Sequence, residues 1–150
     1  MFAFLVVALL MTLAVAIVGW FRPIPAKTPP APTYTDQQVA DAKTKVCAAY
    51  DKVHSAVKAS SVRNEGTDPT SQLAFALNGR QALLAGSAYL RTVLSAEPAT
   101  PNELATTIRK LTDIFQEFVV DYLNGWTESQ MASPLQAGND ATLAIERLCR

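Results

Sequence analysis

Helix-start signals along residues 35–150 constrain the fold of this chain more than any other feature. In three places a residue that caps helices is followed directly by proline, which favours the first helical position: Asp68-Pro69, Thr100-Pro101 and Ser133-Pro134. A fourth signal, Thr35 with Gln38 three residues later, fits a capping box. Together these signals predict four helices joined by short connections.

Apolar residues repeat at helical spacing within the four segments. The third segment is the clearest and ends at Asn124-Gly125, a pair suited to a left-handed helix end. The second, at about residues 70–95, is apolar over so wide a face that we expect it to be the most buried helix. No stretch alternates as a strand would. The predicted fold is therefore an all-α, four-helix up-and-down bundle at residues 35–150.

The segment before the bundle predicts a membrane anchor at residues 1–22. Its first 21 residues contain no charge and no proline, and about 20 apolar residues span a bilayer as a helix. A cleaved signal peptide is the alternative, but the apolar run is longer than such peptides have and no A-x-A-like site follows. Trp20, Phe21 and Arg22 suit the membrane interface.

A proline-rich linker at residues 23–34 joins the predicted anchor to the bundle. Five of the nine prolines fall within residues 23–32, which excludes a helix there. Both an extended, semi-rigid spacer and a flexible linker fit this composition.

The two cysteines connect the fold to a cellular compartment. Cys47 lies in the first helix and Cys149 at the end of the fourth, and these helices are neighbours in an up-and-down bundle. We therefore predict a disulfide between them, with two unpaired buried cysteines as the alternative. Because disulfides persist in oxidising compartments, the bundle is predicted to be extracytoplasmic, on the periplasmic side of the plasma membrane.

Catalytic and metal-binding motifs do not occur in the sequence. The single histidine, His54, is expected to be solvated on the first helix. Asp113, Glu117 and Asp121 are spaced by four and predict the solvated side of the third helix, with a metal or basic-partner site as the alternative. The 13 basic and 13 acidic residues balance, which argues against a nucleic-acid partner. We therefore predict a protein that is not an enzyme and needs no metal or cofactor.

Small residues mark one side of the predicted anchor. Ala8, Thr12, Ala16 and Gly19 follow helical spacing, and such residues let a second membrane helix approach closely. An ordinary alanine-rich anchor is the alternative.

Three residues of the bundle are candidates for contact with a partner or ligand. Gly79 and Gly86 each cost about 1 kcal/mol relative to alanine inside a helix, so each needs a reason. Close helix packing is one reason, and a gap that holds a lipid or other apolar ligand is the other. Trp126 follows the Asn-Gly pair, where it either caps the bundle end or anchors a partner.

The layout resembles a class of small exported mycobacterial membrane proteins. The resemblance is carried by the uncharged anchor, the Pro/Ala/Thr stalk, the segment "AKTKVCAAYDKVHSAV" and the closing "NDATLAIERLCR". In particular, the chain is similar to the LucB-type single-pass accessory subunit of the Mce lipid-import transporter. That resemblance implies a non-enzymatic subunit whose anchor docks on a multipass permease, and it transfers no functional residues.

Two functional hypotheses follow. The first is an accessory or scaffold subunit of a membrane complex, with the bilayer and a multipass permease as partners. The second is a membrane-tethered module that binds lipid or another hydrophobic ligand.

Overall fold

The computed structural model describes residues 4, 6, 9, 11–13, 32–62 and 67–150. The chain divides into two compact units, Met1–Thr33 and Tyr34–Arg150. In the second unit the described residues form four helices and no strand, which confirms the predicted all-α class. The helices are α1 (Asp36–Val62), α2 (Pro69–Ala96), α3 (Asn102–Leu123) and α4 (Glu128–Leu148).

Each helix runs antiparallel to its neighbours, because positions early in one helix contact positions late in the next. Between α1 and α2, Lys45 lies against Glu97 and Val53 against Gly86. Between α2 and α3, Arg91 pairs with Asp113 and Arg80 with Tyr122. Between α1 and α4, Cys47 is bonded to Cys149 and His54 lies near Glu146. Ile114 and Phe118 of α3 pack with Met131 of α4. The helices therefore follow the predicted up-and-down order.

The most tightly packed part of the core lies toward one end of the bundle, where α1 begins and α4 ends. Its largest fully buried side chains are those of Tyr50, Leu90, Leu104, Ile108, Leu111 and Ile145. Cys47 belongs to this cluster and forms the predicted disulfide with Cys149, their Cα atoms 5.7 Å apart. We call this the disulfide end.

Two of the four predicted helix starts are confirmed. The Thr35 N–H donates to Gln38 Oε1 at 2.9 Å and the Gln38 N–H to Thr35 Oγ1 at 3.2 Å, which completes a capping box. The Asp68 carboxylate accepts from the backbone N–H groups two and three residues on, at 3.1 and 3.0 Å. The predicted helix end is also confirmed, since Gly125 has a φ of 74° directly after α3.

The other two predicted starts are wrong. Thr100 does not cap α3, because the helix begins at Asn102 and Pro101 occupies the N-cap position; the Thr100 hydroxyl donates to the Glu97 carbonyl at 2.6 Å. Ser133 and Pro134 lie inside α4, which begins at Glu128.

Packing explains the earlier start of α4. Met131 is buried against Ile114 and Phe118, and burying such a side chain stabilises by roughly 1.5–3 kcal/mol. That gain is comparable with the roughly 3 kcal/mol cost of a proline within a helix. The first turn is also supported locally, because the Thr127 N–H donates to Gln130 Oε1 at 2.9 Å. Burial and the cap together therefore outweigh the proline.

The prediction that the second helix is the most buried is also wrong. α3 buries nine of its residues, whereas α2 buries only Gly86, Ser87, Leu90 and Leu94. Leu73, Leu77 and Leu84 of α2 are exposed. The apolar arc of α2 is wider than its neighbours can cover, and its first half lies away from the packed core.

Most of the predicted anchor and linker lies outside the described residues, including Ala8, Ala16, Gly19, Trp20, Phe21 and Arg22. Thr12 is described, and its hydroxyl donates to the Leu9 carbonyl at 2.9 Å. Among the residues that the structure describes, no helix has both the length and the hydropathy to cross a membrane.

Candidate functional site

An open, mainly apolar cavity of about 640 Å³ lies between the four helices, toward the end opposite the disulfide. We call this the cavity end. The volume falls within the roughly 300–1,000 Å³ of small-molecule sites. All four helices contribute to the apolar wall, which consists of Val53, Val57, Phe75, Ala76, Leu83, Leu111, Phe115, Phe118 and Leu135.

The α2 side of the cavity follows one helical face. Gln72, Phe75, Gly79 and Leu83 repeat at intervals of three or four residues, Ala76 lies beside Phe75, and all five line the space. A Cβ atom at Gly79 would meet nothing within 4 Å. Gly79 therefore fits the ligand-gap alternative, because its missing side chain adds room to the cavity rather than to a helix contact.

Gly86 fits the close-packing alternative. A Cβ atom there would lie 2.6 Å from Val53 Cγ1, closer than real Cβ contacts allow. Gly86 thus lets α1 and α2 approach closely, whereas Gly79, about two turns away, borders open space. The two glycines have different roles although they lie on one helix.

The charged groups that line the cavity within the described part of the chain have one sign. Among the residues that the structure describes, Lys58 from α1 and Arg80 from α2 line it together with His54, and no aspartate or glutamate does. The Arg80 guanidinium lies over the Tyr122 ring, 5.5 Å from its centroid, within cation–π range. Neither Lys58 nor Arg80 forms a salt bridge with any other described residue.

The expectation that His54 is a solvated surface residue holds only in part. Its side chain is partly buried, with Nδ1 3.1 Å from the Tyr50 hydroxyl and 3.9 Å from Glu146 Oε1. His54 follows the buried Val53 directly, and one residue turns a helix by about 100°. This rotation brings His54 toward α4 and into the cavity wall.

The raised pKa of Tyr50 predicts that the protein loses stability at alkaline pH. Burial, reinforced by the negative charge of Glu146, raises the pKa of Tyr50 to about 12 from the usual value of about 10. The unfolded chain therefore releases the proton first, so this stabilising contribution is intact below pH ~10 and is lost as pH rises through about 12. Because Tyr50 is only 2% exposed, we expect a loss of up to about 2 kcal/mol across that window.

Denaturant unfolding of the wild type and of Tyr50→Phe, followed by circular dichroism across this pH range, measures the effect. The wild type should lose more stability than the variant, which has no ionisable group at this position. Parallel pH dependences would contradict the assignment.

The row of acidic residues on α3 is only partly solvated. Asp113 and Glu117 are exposed, but Asp121 is 5% exposed, so the predicted solvated row is wrong at this third position. A step of four residues turns the helix by about 40° beyond a full circle, and two such steps carry the row from solvent into the bundle. Among the described residues, no group of three or more His, Cys, Asp or Glu side chains could hold a metal ion.

Trp126 lies in the α3–α4 connection, and its backbone N–H donates to the Asp121 backbone carbonyl at 3.1 Å. Its side chain is 41% exposed and does not line the cavity. Its role as a partner anchor stays a prediction.

The sequence reasoning missed Lys58, Arg80 and the aromatic wall. The available signal was the four-residue spacing of Phe75, Gly79 and Leu83, with a glycine at its centre. That spacing indicates a shared face, but not what the face borders.

The chemistry of the cavity suits binding. The lining serines, Ser60 and Ser61, donate their hydroxyl hydrogens to the carbonyls of Val57 and Lys58 in their own helix. No known protein family matches the chain, nor does any curated protein or solved structure. The cavity itself therefore provides the basis for a functional proposal.

Proposed function

We propose that this protein is a membrane-anchored, extracytoplasmic module that binds a hydrophobic small molecule between its four helices. The observation that carries the proposal is the apolar cavity of about 640 Å³. Protein interiors are normally close-packed, and unfilled apolar space is destabilising. A cavity of this size, lined by aromatic side chains and bordered by a glycine, is therefore better suited to a ligand than to stability alone.

The membrane location in this proposal comes from the sequence. The uncharged apolar segment at residues 1–22 favours an anchor, and the cysteine pair favours an oxidising compartment. An anchored module would meet its apolar ligand at or near the bilayer, where such molecules are concentrated.

Filling the cavity tests the proposal. The delipidated full-length chain should bind Nile red, a neutral lipophilic dye, and Gly79→Trp should weaken binding at least about tenfold, because an indole would occupy the space. Gln81→Trp is the matched control, since it places the same side chain on an exposed part of α2, outside the lining. Absence of binding by the wild type, or equal binding by Gly79→Trp, would refute the proposal.

An accessory subunit of a membrane complex is the second candidate. The observation that favours it is the exposed leucine stripe of α2, formed by Leu73, Leu77 and Leu84, since exposed apolar patches often mark interaction sites. Mild-detergent pull-down of the full-length protein should then recover a multipass partner. Recovery unchanged after replacement of the anchor by polyleucine would count against docking through Ala8, Thr12, Ala16 and Gly19.

A further inference from the structure

We infer that the ligand is a single-chain amphiphile with an anionic headgroup, its chain lying along the apolar wall and its headgroup held by Lys58 and Arg80. This inference rests on the proposed function and adds the chemical class of the ligand. It is carried by the distribution of charge around the cavity.

The charge of the lining selects the sign of the headgroup. Among the described residues of the lining, the fixed charges are those of Lys58 and Arg80, and both are cationic. Since neither is neutralised in a salt bridge with another described residue, both remain available to an anion. Charges of one sign around a cleft with low-dielectric walls focus their field there and attract ions of the opposite sign. The same arrangement gives no advantage to a neutral or cationic headgroup.

The position of Arg80 leaves its hydrogen-bond donors accessible. The Arg80 Cζ atom lies over the Tyr122 ring, 5.5 Å from the ring centroid. A cation–π contact of this kind involves the charge of the guanidinium and does not consume its five N–H donors, which can bind a carboxylate or phosphate. The contact with Tyr122 therefore leaves the donors of Arg80 unused.

The burial of the lining residues indicates where each end of the ligand lies. Lys58 is exposed and Arg80 partly buried, whereas Val53, Leu111 and Phe118 are buried in the wall. The lining thus changes from a cationic, solvent-accessible side to an apolar interior, as an amphiphile requires. A volume of about 640 Å³ lies in the range of single small molecules, which favours one acyl chain.

Photolabelling tests the inference. The full-length chain is placed in phosphatidylcholine nanodiscs and crosslinked to hexadecanoate that carries a diazirine near its methyl end, and the labelled peptides are mapped. Unlabelled hexadecanoate, hexadecyl phosphate and methyl hexadecanoate then compete for labelling. These competitors share one chain length and differ in headgroup, so they separate the contribution of charge from that of the chain.

We expect the label on residues of the cavity wall and at least one anionic competitor to be about tenfold more effective than the methyl ester. Whether the carboxylate or the phosphate competes better identifies the headgroup. The double substitution Lys58→Gln/Arg80→Gln should abolish the preference for the anionic competitors over the methyl ester. Arg109→Gln/Lys110→Gln is the matched control, because it removes the same two charges from exposed positions of α3 outside the lining.

The outcomes separate this inference from the proposed function. Labelling in the cavity with equal competition by acid, phosphate and ester would overturn the anionic headgroup and leave the binding function standing. An anion preference that persists in Lys58→Gln/Arg80→Gln would also overturn the assignment. Absence of labelling in the cavity, together with absence of Nile red binding, would refute both.

Discussion

Removal of the Cys47–Cys149 disulfide is expected to lower the free energy of unfolding by about 2–5 kcal/mol, the largest stability effect that we predict. The bond joins residues 102 positions apart, and closing so long a loop restricts the unfolded chain strongly. It also holds the last turn of α4, since helix ends otherwise fray. We expect the folded bundle to be retained but to unfold at much lower denaturant concentration.

Substitution and chemical reduction both remove the disulfide, and comparing them distinguishes the effect of the bond from that of the cysteine side chains. Cys47→Ala/Cys149→Ala removes the bond along with two sulfur atoms, whereas reduction of the wild type removes the bond alone. Denaturant unfolding of the full-length chain should show a comparable loss by both routes and no effect of reductant on the double variant. Intact mass should rise by two hydrogens on reduction. Unchanged stability after verified reduction would contradict the prediction.

Alanine at Gly79 and alanine at Gly86 are expected to change stability in opposite directions. At Gly79 a methyl group enters open space, so the helix gains about 0.5–1 kcal/mol from the better helix former. At Gly86 the methyl group would lie 2.6 Å from Val53 Cγ1, and the stiff, β-branched valine cannot turn away freely. Overpacking of this kind costs typically 1–3 kcal/mol, which exceeds the helix-propensity gain.

A double-mutant cycle locates the clash. Val53→Ala should cost stability in the wild type but recover part of it in Gly86→Ala, because the shortened side chain makes room for the new methyl group. The same Val53→Ala change should show little coupling to Gly79→Ala. The chemical-denaturation midpoints of these variants measure both couplings. Stabilisation by both glycine substitutions would contradict the assigned close contact.

Features that depend on neighbouring residues were mostly predictable from sequence, and features that depend on distant ones mostly were not, although the Cys47–Cys149 disulfide and the helix order were predicted. Thr35 and Asp68 cap as expected because their partners lie two or three residues away. Ser133-Pro134 carries an equally clear local signal, yet the burial of Met131 against α3 moves the helix start by more than a turn. Tertiary packing therefore decided the boundary where it competed with local preference.

From sequence, a ligand-binding gap was only one of two explanations for the glycines of α2, the other being close helix packing. The sequence indicated that Gly79 and Gly86 needed a reason, but the choice between packing and open space depends on whether Val53 lies opposite. The pairing of Arg80 with Tyr122 likewise depends on the register of α2 against α3. A helical spacing defines a face, whereas the distance to the next helix determines whether that face is filled.

The disulfide also determines how the bundle would respond to tension. Tyr34 precedes α1 and Arg150 follows Cys149, so a force applied through these two residues would pass along the chain to Cys47 and directly across the bond to Cys149. The residues between the cysteines would carry no load. At about 3.3–3.6 Å per residue, roughly 350 Å of extensible chain is withheld in this way. Reduction would release that length. In a pulling experiment the intact bond would therefore prevent the chain between the two cysteines, which forms most of the cavity wall, from being extended.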